Sequence, residues 1–359
     1  MKNGEQLNGE MEIMKKIGYL LIALFVVAFL FTTDLFAVKD EKKDKSDEEE
    51  KGLEALMDEE KSDLTSAPLH EFIGQSQEEI IKIFSEPKRI DRSFYGYDWW
   101  IYPFYEDYYV QFGISDGKVV TVLGMGDDLN SKPFNIGASY SAIKEIVPFK
   151  KKVEAKNDLF VQFELSEEEL ITKPLIYYEG VWVQLYFDRF TDELLSIRYI
   201  DEETLLKQRP YSLTYRGTLP DVEPLTPEEW KEVEKGMAQQ IFDITNMIRL
   251  RHNLPKLQWH EEAAQVAYAH SKDMCENNYF SHRSPTQGEL KDRLLRSDVQ
   301  FLVAGENIAS NYVDALSVVV GWLNSEGHRI NLLSEEFTHL GVGVYEKYYT
   351  QNFITPLSF

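Results

Sequence analysis

Hydrophobic residues follow two different patterns in the two folded parts of the chain. Between residues 70 and 216 they form short aromatic and β-branched runs, such as residues 99–102 and 108–112, which are separated by polar turns. Runs of this length and composition are typical of β-strands. From residue 227 onward, apolar residues recur every three or four positions over longer stretches, which indicates amphipathic helices. The pattern predicts a strand-rich part and a helix-rich part, joined by a proline-containing linker at residues 219–224.

The strand-rich part contains an internal repeat. Two Ile-Gly-x-Ser motifs end at Ser76 and Ser139, and each serine can cap a short helix. A later strand in each copy contains Val-Gln followed by an apolar residue, at residues 110–112 and 183–185. Self-similarity of this kind indicates a repeated structural unit. We therefore predict a duplicated helix-plus-hairpin unit, with an insertion in the second copy.

The helix-rich part begins with a strong N-terminal signal. Thr226 can cap a helix, Pro227 suits the first helical position, and Glu229 completes a capping box. Further stretches with apolar residues at every third or fourth position follow. The last two segments alternate between apolar and polar residues. The predicted elements are helices over residues 227–251, 261–277, 292–296 and 313–323, and paired strands over residues 339–345 and 349–353.

The first 67 residues differ in composition from everything that follows. Two lysines precede an uncharged apolar run, and we predict that residues 17–38 form a transmembrane anchor. Residues 1–16 are then a cytoplasmic tail and the rest of the chain lies outside, because positive flanks stay in the cytoplasm. A cleaved signal peptide is the alternative, although residues 35–37 make a poor cleavage site. Residues 39–67 are charged and have few large apolar side chains, which predicts a disordered linker.

Composition narrows the range of functions. The chain has 359 residues, of which 43% are hydrophobic, and this is enough for two folded domains. Its net charge of −23 argues against a nucleic-acid partner, because phosphate binding needs a basic surface. Cys275 is the only cysteine in the sequence, so no intramolecular disulfide can form.

Three short segments near the C-terminus carry the candidate chemistry. They span residues 279–285, 304–309 and 322–333, and each has a His or Glu close to a Gly or Pro that fixes the local backbone. Two imidazoles and a carboxylate suit a zinc-like divalent cation or acid-base chemistry. A buried hydrogen-bonded network that only braces the fold is the alternative. The candidate cleft residues are His282, Glu306, His328, Ser325 and Glu326, and the first three are also the candidate metal ligands.

These segments, in this order, resemble the CAP superfamily, which comprises the cysteine-rich secretory, antigen-five and pathogenesis-related proteins. The resemblance covers about residues 230–354 and includes the segments at residues 253–259 and 337–344. It implies that residues 225–359 form a CAP domain, which is an α-β-α sandwich. Residues 68–217 resemble the extracytoplasmic domain that often precedes CAP domains in spore-forming bacteria of the Gram-positive type. The predicted fold class is therefore α+β, with an N-terminal transmembrane helix.

The resemblance also implies a cleft in the CAP domain. In the family, two histidines and two glutamates line this cleft and can bind a divalent cation. His282 and Glu306 match two of these positions directly, and His328 is the third candidate. Eukaryotic members have their second glutamate where this chain has Ser325. The remaining alternatives are the adjacent Glu326 and, further along the chain, His339.

Three functions fit these observations. The first is a non-enzymatic, membrane-tethered, extracytoplasmic protein of the cell envelope whose cleft takes a lipid-like or peptide ligand, with or without a cation. The second is a metal-dependent hydrolase or peptidase that uses the same cleft, although the sequence contains no nucleophile motif. The third is an envelope scaffold that acts through residues 68–217. If the N-terminal segment is cleaved, the protein is secreted instead.

Overall fold

A computed structural model describes residues 67–104, 108–127, 129–155 and 160–357. The predicted cytoplasmic tail, the membrane segment and the charged linker up to residue 66 lie outside the described residues. Within the described ranges, no helix has the length and apolar character needed to cross a membrane. The described residues belong to a single compact unit.

The strand-rich part is built on a seven-stranded antiparallel sheet and a smaller three-stranded one. The strands are β1 (Arg89–Arg92), β2 (Asp98–Phe104), β3 (Tyr108–Ser115), β4 (Lys118–Met125), β5 (Lys152–Glu154), β6 (Val161–Glu164), β7 (Leu175–Tyr178), β8 (Val181–Asp188), β9 (Glu193–Ile200) and β10 (Ser212–Tyr215). The large sheet has the order β1-β2-β3-β4-β9-β8-β7, and the small sheet has the order β10-β6-β5.

Short helices flank these strands. They are a 3-10 helix (Leu69–Phe72), α1 (Gln77–Phe84), α2 (Tyr140–Ile146), α3 (Glu167–Thr172) and α4 (Glu202–Gln208). The helices predicted after Ser76 and Ser139 are both present, and each serine side chain accepts a hydrogen bond from the backbone three residues later. The two hairpins β3–β4 and β8–β9 meet at the centre of the large sheet through the β4–β9 pair. The elements β5, β6 and α3 lie within the predicted insertion of the second copy.

The helix-rich part surrounds a four-stranded sheet. Its helices are α5 (Pro227–Arg251), α6 (Glu261–Glu276), α7 (Leu290–Arg296), α8 (Ala315–Leu323) and α9 (Glu326–Leu332). Its strands are β11 (Gln258–Trp259), β12 (Phe301–Ser310), β13 (His339–Tyr345) and β14 (Tyr348–Pro356), in the order β11-β13-β14-β12. Only the β11–β13 pair is parallel. Two of these elements were not predicted, namely the strand that contains residues 304–309 and the helix that contains His328.

Helices cover both faces of this sheet, as the α-β-α prediction requires. Helix α6 packs so closely on β13 that a Cβ atom at Gly343 would lie 1.8 Å from the backbone nitrogen of Tyr268. Only glycine allows this approach. The alternating residues Val342 and Val344 point to the opposite face, into the core that contains Ile244 of α5 and Trp322 of α8.

The two parts of the chain share that core. Tyr97 and Trp99 of the strand-rich part belong to the same buried cluster as Ile244 and Trp322. A buried ion pair accompanies the apolar contacts, with Arg198 Nη1 2.5 Å from Asp314 Oδ2 and both side chains at most 4% exposed. Burial by itself would lower the pKa of Arg198, but Asp314 raises it above the ordinary arginine value, so the guanidinium is charged.

Removing one charge of this pair should destabilise the whole unit. Asp314→Asn keeps the oxygen that caps α8 but leaves the Arg198 guanidinium buried without a counter-charge. We expect a loss of about 3–5 kcal/mol in the free energy of unfolding, measured by urea denaturation with tryptophan fluorescence. Asp127→Asn is the control, since Asp127 pairs with Arg251 at the surface and should contribute at most about 1 kcal/mol. Equal losses in the two variants would contradict this account.

Candidate functional site

Glu306 lies at the centre of the predicted cleft. It is part of the edge strand β12, and its side chain is only 3% exposed. Its Oε2 atom forms a short ion pair with Arg293 of α7. Its Oε1 atom lies 2.9 Å from Nδ1 of His282. A buried carboxylate needs such partners because an unpaired charge in the interior is strongly destabilising.

The loop that carries His282 is held from two sides. Arg293 donates through Nη1 to the carbonyl oxygens of His282 (2.8 Å) and Gly288 (2.9 Å). Asp273 of α6 accepts hydrogen bonds from Ser284 Oγ, at 2.7 Å, and from the hydroxyl of Tyr279. The side chain of His282 is 55% exposed, although Glu306 beneath it is buried. The structure therefore presents one oriented imidazole to solvent.

A third histidine, which the sequence analysis did not select, lies behind the carboxylate. His270 of α6 is buried, with Nε2 4.0 Å from Glu306 Oε1 and 3.0 Å from the carbonyl oxygen of Ser281. Because a carbonyl only accepts, Nε2 carries the proton and Nδ1 is the unprotonated nitrogen. Burial lowers the pKa of His270 by more than Glu306 raises it, so this imidazole is neutral at pH 7. In the sequence, the spacing of His270 from Val266 and Met274 places all three on the inward-facing side of the helix, and this spacing could have identified it.

The second predicted imidazole reaches the cleft from α9. His328 Nδ1 lies 2.8 Å from the hydroxyl of Ser325, the residue that precedes the helix. Burial lowers the pKa of His328, and the nearby charge of His282 lowers it further. Of the remaining candidates, Glu326 is exposed at the first position of α9. His339 packs against His260, with ring centroids 5.8 Å apart.

Asparagines attach α9 to the edge strand. Asn331 Nδ2 donates to the carbonyl oxygen of Glu306 at 3.1 Å and to Asn307 Oδ1 at 3.0 Å. Asn307 in turn donates to the carbonyl oxygen of His328 at 3.2 Å. The sequence-predicted residues His282, Glu306, His328 and Ser325 are thus brought to one place by a loop, a strand and a short helix.

The predicted cation does not fit these contacts well. Arg293 already neutralises Glu306, and its positive charge would oppose a second cation at the same carboxylate. Among the residues that the structure describes, no three His, Cys, Asp or Glu side chains are grouped so that they could hold a metal ion. The zinc-like cation therefore stays a prediction.

The polar groups do not form a continuous catalytic relay. The carboxylate orients His282, whereas the hydroxyl of Ser325 contacts His328. A serine nucleophile normally needs a base that is itself oriented by a third group. Here His328, the candidate base next to Ser325, has no carboxylate among the described residues to orient it. His282, which the Glu306 carboxylate orients, has no hydrogen bond to a serine hydroxyl in the described part of the chain. The arrangement suits hydrogen bonding to a ligand better than nucleophilic catalysis.

Comparison with known proteins assigns both parts of the chain. Residues 242–355 match the model of the cysteine-rich secretory protein family, and residues 73–211 match the model of the CAP-associated N-terminal domain. The uncharacterized membrane protein YlbC of Bacillus subtilis (strain 168) is 44% identical over 345 residues, which cover 95% of this chain and 99% of that protein. The uncharacterized protein YkwD of the same organism is 42% identical over 118 residues, which cover 32% of this chain and 46% of that protein.

Two crystal structures share the fold. An extracellular protein containing an SCP domain from Bacillus anthracis (strain Ames) is 50% identical, with a TM-score of 0.78 over 81% of this chain and 96% of that one. A cysteine-rich secretory protein from Staphylococcus aureus (Mu50) has a TM-score of 0.72 over 81% of this chain and 94% of that one. Its sequence identity is 22%, so it supports the fold alone.

The buried His270 should make stability depend on pH. Its pKa is lowered in the folded state, so the unfolded chain takes up a proton first, near pH 6.5. The contribution is complete above that pH and is lost as the pH falls below it, by up to about 1.4 kcal/mol per pH unit. We expect urea denaturation between pH 7 and pH 5 to show a smaller loss for His270→Gln than for the wild type. Equal losses would contradict the prediction, since His328 and His339, whose pKa values are also lowered, are unchanged in both proteins.

Proposed function

The chain belongs to the cysteine-rich secretory protein family, in a form that carries a CAP-associated N-terminal domain, and from this premise we propose that it is a binding protein whose cleft takes an extended peptide. The peptide would pair with the open edge of β12 and reach the imidazoles of His282 and His328. The proposal rests chiefly on the free backbone N–H and C=O of Ala304 on that edge, near the oriented imidazole of His282.

The direction of these groups follows from the contacts of β12. The strand has a neighbour, β14, on one side only. The carbonyl oxygens of Glu306 and Ile308 accept hydrogen bonds from Asn331 and Trp322, so they point away from β14. Since peptide groups alternate along a strand, Ala304 presents its N–H and C=O to the same open side.

The opposite strand supports the same assignment. Ala304 is paired with Ile354, whose carbonyl oxygen accepts from Thr338 on the far side of β14. In this pair the backbone N–H and C=O groups of the two residues point away from each other. Those of Ala304 therefore remain available on the open side of β12. None of the hydrogen bonds among the described residues engages them. An exposed strand edge of this kind is the surface that extended peptides use when they add a strand to a sheet.

Exposed apolar side chains on β12 and on the His282 loop provide further contact area. Leu302 of β12 is 63% exposed, and Phe280, two residues before His282, is 53% exposed. Side chains of a peptide bound along the edge would alternate between the two faces. Some would contact these apolar residues, and a polar group would meet the exposed imidazole of His282. A lipid-like ligand would use the apolar residues but leave the backbone groups of Ala304 unpaired.

We also propose that residues 17–38 anchor the protein, with both folded parts on the outer face of the membrane. The two positively charged lysines that precede the apolar run support this orientation. The similar YlbC is named a membrane protein, and the similar Bacillus anthracis protein is described as extracellular.

Ala304→Pro tests peptide binding at the edge. Proline removes the outward N–H and leaves the ladder to β14 intact, because Ala304 does not donate to β14. Proline is tolerated on edge strands for this reason. Binders would be selected from a display library of random peptides of about seven residues, and their affinity would be measured for each variant. We expect peptide affinity to fall at least about tenfold for Ala304→Pro. This factor corresponds to the loss of one backbone hydrogen bond and to the poorer fit of the peptide against the proline ring.

Ala304→Ser is the matched control, because it changes the side chain but retains the N–H, and it should bind like the wild type. Mass spectrometry of the bound peptides should show no cleavage, whereas cleavage would favour the hydrolase. Peptide affinity that is equal in the two variants would contradict edge pairing. Binding of fatty acids or phosphatidylglycerol vesicles that needs His282, without any peptide binding, would assign the cleft to lipid-like ligands instead.

A further inference from the structure

The end of β8 contacts the corner between α8 and α9, so the strand-rich part reaches the cleft. Asn324, the residue that follows α8, is buried in this corner. Its Oδ1 accepts from the backbone N–H of Arg189 at 2.8 Å, and its Nδ2 donates to the carbonyl oxygen of Phe187 at 2.8 Å. The amide side chain thus makes two hydrogen bonds to the backbone of the other part of the chain.

Asp188 makes the charged contact at this point. Its side chain is 3% exposed, and its two oxygens lie 2.9 Å and 2.8 Å from Nη1 and Nη2 of Arg329 in α9. His252 Nε2 lies 3.4 Å from the same carboxylate, and the backbone N–H of Phe190 donates to it at 2.9 Å. Burial would raise the pKa of Asp188, but the hydrogen bonds from His252 and Arg329 hold it below its ordinary value.

Helix α9 needs this support. It has seven residues, and isolated helices of that length are unstable in water. Arg329 attaches one side of the helix to Asp188, and the ring of Phe190 lies 4.7 Å from the guanidinium. Asn331 attaches the other side to β12. His328 lies next to Arg329 in the sequence, so the position of its imidazole is set from both sides.

We propose that Asp188 is a positioning residue of the cleft, which acts through Arg329 on the helix that carries His328. The strand-rich part then helps to set the geometry of the binding site and is not a separate module on the same chain. The inference rests on the proposed function only in treating the cleft as a ligand site. The contact itself and its effect on α9 can be tested without a ligand.

Asp188→Asn in the full chain should loosen α9 and leave the rest of the cleft in place. We expect hydrogen exchange, followed by mass spectrometry, to become about tenfold faster in residues 325–333, the factor for one lost charge-assisted hydrogen bond. Residues 279–306 should exchange at the wild-type rate. In the same variant, diethyl pyrocarbonate should modify His328 faster and His282 at an unchanged rate.

Arg251→Gln is the matched control. Arg251 forms ion pairs with Asp127 and Glu193, so its loss also removes a charged contact between the two parts of the chain, at a place that does not contact α9. This variant should leave exchange in residues 325–333 unchanged. If Asp188→Asn does not fold, Arg329→Gln removes the same contact from the more exposed partner and should give the same local pattern.

The proposal would be overturned if exchange in Asp188→Asn became faster throughout the protein. It would also be overturned if exchange in residues 325–333 became faster in both Asp188→Asn and Arg251→Gln. Either result would show that Asp188 only stabilises the fold. Unchanged exchange of α9 in Asp188→Asn and Arg329→Gln would likewise overturn the proposal. The peptide-library measurement is separate. Local loosening of α9 in a protein that binds no peptide would refute the proposed function and leave the positioning role standing.

Discussion

The buried carboxylate of Glu306 is the feature that organises the cleft. A charge that is 3% exposed has to be neutralised, and Arg293 does so while also bonding to two carbonyl oxygens of the His282 loop. The same carboxylate orients His282 through Nδ1. One buried anion therefore fixes the loop, the exposed imidazole and the packing of α7 against β12.

The second constraint is that the two parts of the chain are packed as one unit. Their shared core and the Arg198–Asp314 pair leave little freedom between them. Consequently the end of β8 can act on α9, which would not be possible if a flexible linker separated the two parts. This organisation favours a preformed cleft, and a preformed site loses less conformational entropy when a peptide becomes ordered on it.

Local sequence signals predicted part of this structure well. The capping box at Thr226 and the apolar periods gave α5, α6 and α8 close to their observed positions, and the prediction of a CAP domain is confirmed. Strand β12 was not predicted, because Gly305, Glu306 and Asn307 have low strand propensity and depend on pairing with β14. Helix α9 was missed for a similar reason, since its stability comes from contacts distant in sequence. His282 and Glu306 could be selected by type and motif, whereas Arg293 and His270 become partners only through the tertiary fold.

The central claim is that the backbone of β12 at Ala304 is itself part of the ligand site. The most direct measurement is the hydrogen exchange rate of the Ala304 amide, followed by nuclear magnetic resonance in the free protein and at saturation with a selected peptide. Pairing with an added strand predicts that this amide exchanges at least about tenfold more slowly in the complex, while amides that already bond to β14 change little. An Ala304 amide that exchanges at the same rate in both states, under conditions in which the peptide is bound, would contradict the account.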